Sequence, residues 1–159
     1  MDERVSSAEY QITTHSVDET RKLGETIGAV VTAGTVLALY GDLGSGKTSF
    51  VQGLGRGLGV PDDYYITSPS YTLINEYPGR YLLFHIDLYR IANPVDIEDI
   101  GLYEILEEDG VVAIEWAERI RGTLPPEGIT IRFNMISDDT RNICVTAYGL
   151  QAANVQKVE

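Results

Sequence analysis

The sequence predicts an α/β domain, a mixed β-sheet with flanking helices, and three observations carry that expectation. Thr35-Val-Leu-Ala-Leu-Tyr40 is an unbroken apolar run of strand length, fit for burial on both faces of a parallel sheet. A glycine-rich turn, Gly41 to Gly46, joins it to a helix expected from Lys47 to about Leu58. Further strand-like segments follow, and alternation of strand, turn, helix and strand marks a sheet covered by helices. A chain of 159 residues suits one domain, which buries roughly 70% of its unfolded-chain surface without a metal or disulfide staple. No internal repeat or dividing linker is visible.

The elements follow in order. Residues 1–9 are polar and aperiodic and read as a flexible tail, and residues 150–159 as a second one; the domain between them spans 10–149. Tyr10 to His15 looks like a strand. Ser16 opens a capping box with Glu19, in which each side chain bonds an otherwise unpaired backbone N–H. The helix that follows carries Leu23, Ile27, Val30 and Val31 on one face and ends near Gly34. Tyr71–Tyr77 and Arg80–Leu88 read as strands of a hairpin turning at Pro78-Gly79. Asn93-Pro94 caps a helical segment that breaks at Gly101 and ends before Gly110. Its seven acids, with no Lys or Arg between Val95 and Gly110, read as a solvated face. Val111–Ile114 is another buried strand, and Ile129–Ile136 with Asn142–Tyr148 forms a closing hairpin around Ser137-Asp138-Asp139.

Composition excludes several function classes. Twenty-four acidic against twelve basic side chains give a formal charge of -12, and only three lysines and nine scattered arginines are present. A grip on nucleic acid or an anionic membrane needs clustered cations, so no direct contact with RNA is expected, and a basic protein partner is the natural complement. No apolar run approaches the roughly 20 residues of a membrane span. The charged start Met1-Asp2-Glu3-Arg4 leads into no apolar stretch, so the expected location is cytoplasmic. The single cysteine, Cys144, excludes an internal disulfide or a cysteine-rich zinc site and reads as a small core residue.

Gly41-Asp42-Leu43-Gly44-Ser45-Gly46-Lys47-Thr48 fits G-x-x-x-x-G-K-[ST] in full. Glycines let the backbone approach a phosphate with no Cβ in the way, and consecutive N–H groups then form an anion nest backed by the positive end of the next helix. Residues Gly41 to Ser49 are therefore the candidate nucleotide contacts, with Lys47 reaching the β- and γ-phosphates and the Thr48 hydroxyl ligating Mg²⁺. The context, an apolar strand before and a helix after, is what the motif requires, and the domain reads as P-loop NTPase-like.

A magnesium–nucleotide site also needs carboxylates at neighbouring strand ends. Leu82-Leu-Phe-His-Ile-Asp87 ends in Asp87, expected to hold Mg²⁺ directly or through water. Glu115, after Val111–Ile114, is placed to orient or deprotonate the attacking water or to bind the metal through water. His85 is set off the face carrying Asp87 and read as structural. Trp116 either stacks near the nucleotide or belongs to the core.

Four segments, Gly41–Thr48, Thr67-Ser-Pro-Ser-Tyr-Thr-Leu73, His85-Ile-Asp-Leu-Tyr-Arg90 and Glu115-Trp116, together resemble the TsaE (YjeE) family of small bacterial ATPases. The resemblance spans about residues 12 to 148, with Ser70 standing where threonine is commoner. It implies ATP and Mg²⁺ as cofactors, TsaD- and TsaB-type partners, and a role in forming threonylcarbamoyladenosine at position 37 of tRNAs that read ANN codons. It also implies that Lys47 holds phosphates, that Thr48 and Asp87 serve the metal, and that Glu115 supports hydrolysis. Thr67–Leu73 would be a switch loop sensing the γ-phosphate, with Thr72 a contact, and Trp116 would lie in a second switch-like region.

Three rival readings follow from the residues. A small-molecule kinase would use Glu118-Arg-Ile-Arg-Gly122 as its arginine-bearing lid. A GTP switch lacks the lysine of an N-K-x-D element, since none lies between Lys47 and Lys157. A nucleotide-gated binding module with incidental turnover is the third, because no arginine is evidently placed as a finger in cis.

Overall fold

The computed structural model describes residues 7–69, 73–91, 93, 95–96, 101–149, 151–152 and 155. Among them the strands are β1 (Ser7–Thr14), β2 (Val36–Tyr40), β3 (Ile74–Tyr77), β4 (Leu83–Asp87), β5 (Val111–Glu115), β6 (Gly128–Met135) and β7 (Arg141–Tyr148). The helices include α1 (Val17–Val30), α2 (Lys47–Gly57) and α3 (Leu102–Leu106), and a 3-10 segment covers Ala117–Thr123.

The strands form one mixed sheet in the order β1-β7-β6-β2-β5-β4-β3. The central four, β6, β2, β5 and β4, run parallel, and β7, β1 and β3 add antiparallel edges. Residue patterning explains which strand goes where. Val36–Ala38–Leu39, Leu83–Asp87 and Val111–Glu115 are buried throughout, because helical layers lie on both faces of β2, β4 and β5. On β7 burial alternates, with Ile143, Val145 and Ala147 inward and the intervening residues facing the other way.

Helices α1 and α2 cover one face of the sheet. Leu23, Ile27, Phe50, Val51, Leu54 and Leu58 pack there against Leu37, Leu39, Ile131, Phe133, Val145 and neighbours. Each such side chain contributes roughly 1.5–3 kcal/mol on burial. The second face is covered over β2, β5 and β4 by Leu88, Ile91, Leu102, Ala117 and Ile120. The two helices touch backbone to backbone: a Cβ on Gly53 would stand 1.8 Å from the Arg21 carbonyl oxygen, and one on Gly24 would stand 2.2 Å from that of Phe50.

The structure corrects several local expectations. Ser7–Glu9, placed in the tail, are the first residues of β1 and pair with Tyr148, Ala147 and Thr146. Gln151, Ala152 and Val155, placed in the C-terminal tail, are buried, Val155 fully and within the main core. Ser16 Oγ caps α1 by accepting from Glu19 N at 3.1 Å, but the Glu19 carboxylate accepts from His15 N rather than from Ser16 N. Helix α1 ends at Val30, not near Gly34. The β3–β4 hairpin is antiparallel as expected, but β3 begins only at Ile74, since Leu73 takes a positive φ of 71°. Tyr71 and Thr72 lie outside the described residues, as do Pro94 and most of the first acidic turn. Gly101, at φ 81°, caps α3, and Glu104, Glu107, Glu108 and Asp109 are exposed. Cys144 is half-buried rather than core, because the period of two turns it away from Ile143 and Val145.

Candidate functional site

The parallel strands β2, β5 and β4 end at one edge of the sheet, and their last residues set the site. Register pairs Asp87 with Glu115 and Glu115 with Leu39, just before the turn at Gly41. The C-terminal edge of such strands is where an α/β sheet holds its ligands.

The turn after β2 is shaped by its glycines. Gly46 has φ 110° and is the cap residue of α2, so no side chain covers the helix start. A Cβ at Gly41 would stand 2.5 Å from Ser45 Oγ, which leaves the loop room to curl only with glycine there. Ser45 Oγ is itself buried with no hydrogen-bond partner among the described residues. Lys47 is 5% exposed, and its ammonium donates to the carbonyls of Gly41 and Asp42 and lies 4.8 Å from the Trp116 ring centroid. Desolvation lowers its pKa, while the charges of Glu115, Asp87, Glu118 and Asp42 act in the opposite direction.

Opposite the lysine stand two buried carboxylates, Asp87 and Glu115, each 3% exposed. Thr48 Oγ1 donates to Glu115 Oε2 at 3.4 Å. Asp87 accepts from Ser68 Oγ at 3.1 Å and from Tyr89 N at 2.9 Å. The carboxylate of Glu115 is also held by His85, whose Nε2 lies 2.5 Å from Oε2 on a fully buried ring. Nε2 therefore carries the hydrogen when Glu115 is ionised.

Lys47, Thr48, Ser68, Asp87 and Glu115 line a cavity of about 580 Å³ that extends from Ser16, Val17 and Thr20, past the loop and Ser49, to Tyr89 and Trp116, with His85 buried behind Glu115. That volume lies within the usual range for a cofactor-sized ligand, about 300–1,000 Å³. The residues fit a magnesium–polyphosphate. An uncapped helix start, a glycine cradle and one ammonium group suit an anion. Thr48, Asp87 and Glu115 offer hard oxygen donors. No group of three His, Cys, Asp or Glu residues among the described ones can hold a metal alone. Two carboxylates and a hydroxyl instead suit Mg²⁺, which completes its shell with phosphate oxygens and water.

Asp42, Leu43, Gly44, Ser45, Gly46, Lys47, Thr48, Ser49, Asp87, Glu115 and Trp116 therefore meet along the cavity wall, while Gly41 stands behind it and is reached only through its carbonyl, which accepts from Lys47. Thr72 falls outside the described residues. Trp116 lines the cavity at φ 60° and also packs against the second core cluster, so the two sequence readings of it coexist. His85 was placed off the Asp87 face; it is two residues before Asp87 and hence on the same face, and the strand period alone was enough to find it. Sequence reasoning also passed over Arg90 and Arg141, which both line the cavity. Glu118–Gly122, the stretch a kinase would need as its lid, lies in a 3-10 turn in which Arg119 donates to the Tyr89 carbonyl at 3.1 Å.

The family model for "Threonylcarbamoyl adenosine biosynthesis protein TsaE" matches residues 14–143. The chain is 42% identical over 130 residues to the tRNA threonylcarbamoyladenosine biosynthesis protein TsaE of Treponema pallidum, covering 82% of this chain and 95% of that one. It is 40% identical over 133 residues to the Bacillus subtilis protein of the same name, covering 83% and 82%. The crystal structure of Bacillus subtilis YdiB superposes with a TM-score of 0.79 at 32% identity, covering 99% of this chain and 97% of that one. With a family model spanning most of the sequence, and relatives this similar over most of both chains, the chain belongs to the TsaE family.

Proposed function

We propose that this chain is a magnesium-dependent ATPase that supports threonylcarbamoyladenosine formation on tRNA together with TsaD- and TsaB-type partners. The observation that carries the reading is the convergence of Lys47, Thr48, Asp87 and Glu115 on one cavity at the end of three parallel strands. Lys47 and the start of α2 bind the phosphates. Thr48 and Asp87 hold Mg²⁺, which neutralises phosphate charge when bound. Glu115, oriented by His85, receives a proton from water or positions it. A tRNA pathway fits a chain of charge -12 when the partners rather than this protein hold the RNA.

Alone, the chain should turn over ATP below about 1 s⁻¹, the rate range of a P-loop ATPase that lacks a finger arginine in cis. Arg141 lines the cavity and holds the Ser45, Ser137 and Gly44 carbonyls through Nε, Nη1 and Nη2. Phosphate release measured with and without a TsaD–TsaB complex, alongside a pull-down in ATP and in its absence, tests this. Stimulated release and nucleotide-dependent retention are expected. Phosphate appearing on a small acceptor would establish a kinase instead, and fast release by the isolated chain would remove the need for partners.

Asp87→Ala should lower magnesium-dependent release at least about 100-fold, since it removes a charged metal ligand. Its circular dichroism should match that of the unsubstituted chain, because the change also relieves repulsion between two buried carboxylates. Excess EDTA should weaken ATP binding to the unsubstituted protein. Wild-type release from the variant, or ATP affinity indifferent to EDTA, would take the metal away from Asp87.

A further inference from the structure

Arg141, the first residue of β7, stands 96 and 97 positions from the two loop residues it touches. Its Nε donates to the Ser45 carbonyl at 3.1 Å and its Nη2 to the Gly44 carbonyl at 3.0 Å. Its Nη1 donates within the β6–β7 hairpin, to the carbonyls of Ser137 at 2.8 Å, Asp138 at 3.2 Å and Thr140 at 3.2 Å. One guanidinium thus joins the hairpin to the turn that precedes α2. We propose that Arg141 is a positioning residue that fixes the peptide planes of the phosphate loop through two of its carbonyls. The proposal rests on the reading that this loop binds nucleotide phosphates.

The physical argument starts from the peptide unit. In a planar trans peptide the C=O and the next residue's N–H point in opposite directions. Holding the Gly44 carbonyl therefore sets the Ser45 N–H, and holding the Ser45 carbonyl sets the Gly46 N–H. In this structure Ser45 N closes the turn on the Asp42 carbonyl at 3.1 Å, while Gly46 N has no main-chain acceptor among the described residues. An N–H fixed in direction and lacking a main-chain partner is what an incoming phosphate oxygen needs.

The neighbouring sequence makes such a brace necessary. Gly44 and Gly46, at φ 77° and 110°, flank the braced peptides, and glycine has the most backbone freedom to lose. Without an external anchor the loop would pay that ordering entropy when the nucleotide binds. The planar fork of arginine reaches two carbonyls on one side and three on the other, a geometry that a lysine ammonium cannot reproduce. Arg141 also places a permanent positive charge beside a loop whose surroundings include Asp42, Asp87 and Glu115. If charge were its whole contribution, lysine would serve equally well.

The test compares Arg141→Lys and Arg141→Gln with the unsubstituted chain and with Lys47→Ala. Dissociation constants for Mg-ATP and ADP, steady-state kinetics and amide hydrogen exchange are measured on the full chain. Both Arg141 variants should bind ATP and ADP about tenfold or more weakly, the worth of the lost charge-assisted bonds. KM should rise with kcat changed less than about twofold, the signature of lost ground-state and transition-state binding together. The Ser45 amide, bonded to the Asp42 carbonyl, should exchange faster while those of Ile143 and Val145 keep their protection.

Full affinity in Arg141→Lys would reduce the residue to a charge and overturn the proposal. So would unchanged exchange at the Ser45 amide in either variant, a readout that needs no nucleotide. If Lys47→Ala loses binding and the Arg141 variants do not, the nucleotide reading stands and the brace falls. Failure of the unsubstituted chain to bind Mg-ATP would overturn both.

Discussion

Nucleotide affinity should fall at least about 100-fold in Lys47→Ala, since charge-assisted bonds to phosphate in a partly dry site are each worth about 1.5–3 kcal/mol. ADP binding by isothermal titration is the cleanest measurement, because it separates loss of phosphate contacts from loss of hydrolysis. Unchanged ADP affinity would remove the lysine from the site. The same residue makes an opposite prediction for the empty protein. Lys47 is buried beside main-chain carbonyls, and desolvation lowers its pKa against the pull of Glu115 and Asp87. A lowered lysine pKa means that the unfolded chain binds more protons than the folded one between the two values. Stability from this group therefore rises with pH across that window, and below it the buried charge costs stability. Lys47→Met without nucleotide should accordingly unfold no sooner than the unsubstituted chain at neutral pH. A site that is costly when empty and tight when filled is what a binding function requires.

Gly53→Val should be the most destabilising single change on the α1–α2 side. Its Cβ would stand 1.8 Å from the Arg21 carbonyl oxygen and 2.7 Å from the Arg21 carbonyl carbon, and backbone atoms cannot rotate aside as a side chain can. Separating the helices would open the layer formed by Leu23, Ile27, Phe50 and Leu54. A loss of about 3 kcal/mol or more is expected. For a domain of this size that corresponds to a fall of roughly 10 °C in Tm. Gly34→Ala is the internal control: no atom lies within 4 Å of a Cβ there, so only the φ of 87° opposes it. Equal melting temperatures for Gly53→Val and the unsubstituted chain would show that the two helices do not touch as described.

Much of the site was readable because each residue carries its own positional mark. Lys47 and Thr48 are fixed by the glycine pattern, and Asp87 and Glu115 are the acids that close apolar runs. Strand-end acids converge only if their strands are neighbours, and the register of β4 on β5 supplies that. What could not be read depends on strand order. Arg141 reaches Gly44 because β7 and β6 lie beside β2, a placement that no local pattern encodes. The wall formed by Ser16, Val17 and Thr20 is equally remote in sequence from the carboxylates it faces. Two errors had simpler causes. His85 was assigned to the wrong face of a strand whose period is two, and Cys144 was judged by apolar company instead of by alternation. At the ends, Ser7–Glu9 join the sheet through main-chain bonds that polar side chains do not prevent, and Val155 is buried within the α1–α2 layer.

The close seating of α1 on α2 has a mechanical consequence. Ser16, Val17 and Thr20 belong to the start of one helix, and the Gly41–Gly46 loop leads into the other. These helices meet at main-chain level near Gly24 and Gly53, so sliding one past the other would open the packed layer between them. Compliance is left to the far bank, where Tyr89 leans on Trp116 at 5.0 Å and a 3-10 turn replaces a helix. A protein sensing which nucleotide is seated would find its signal there.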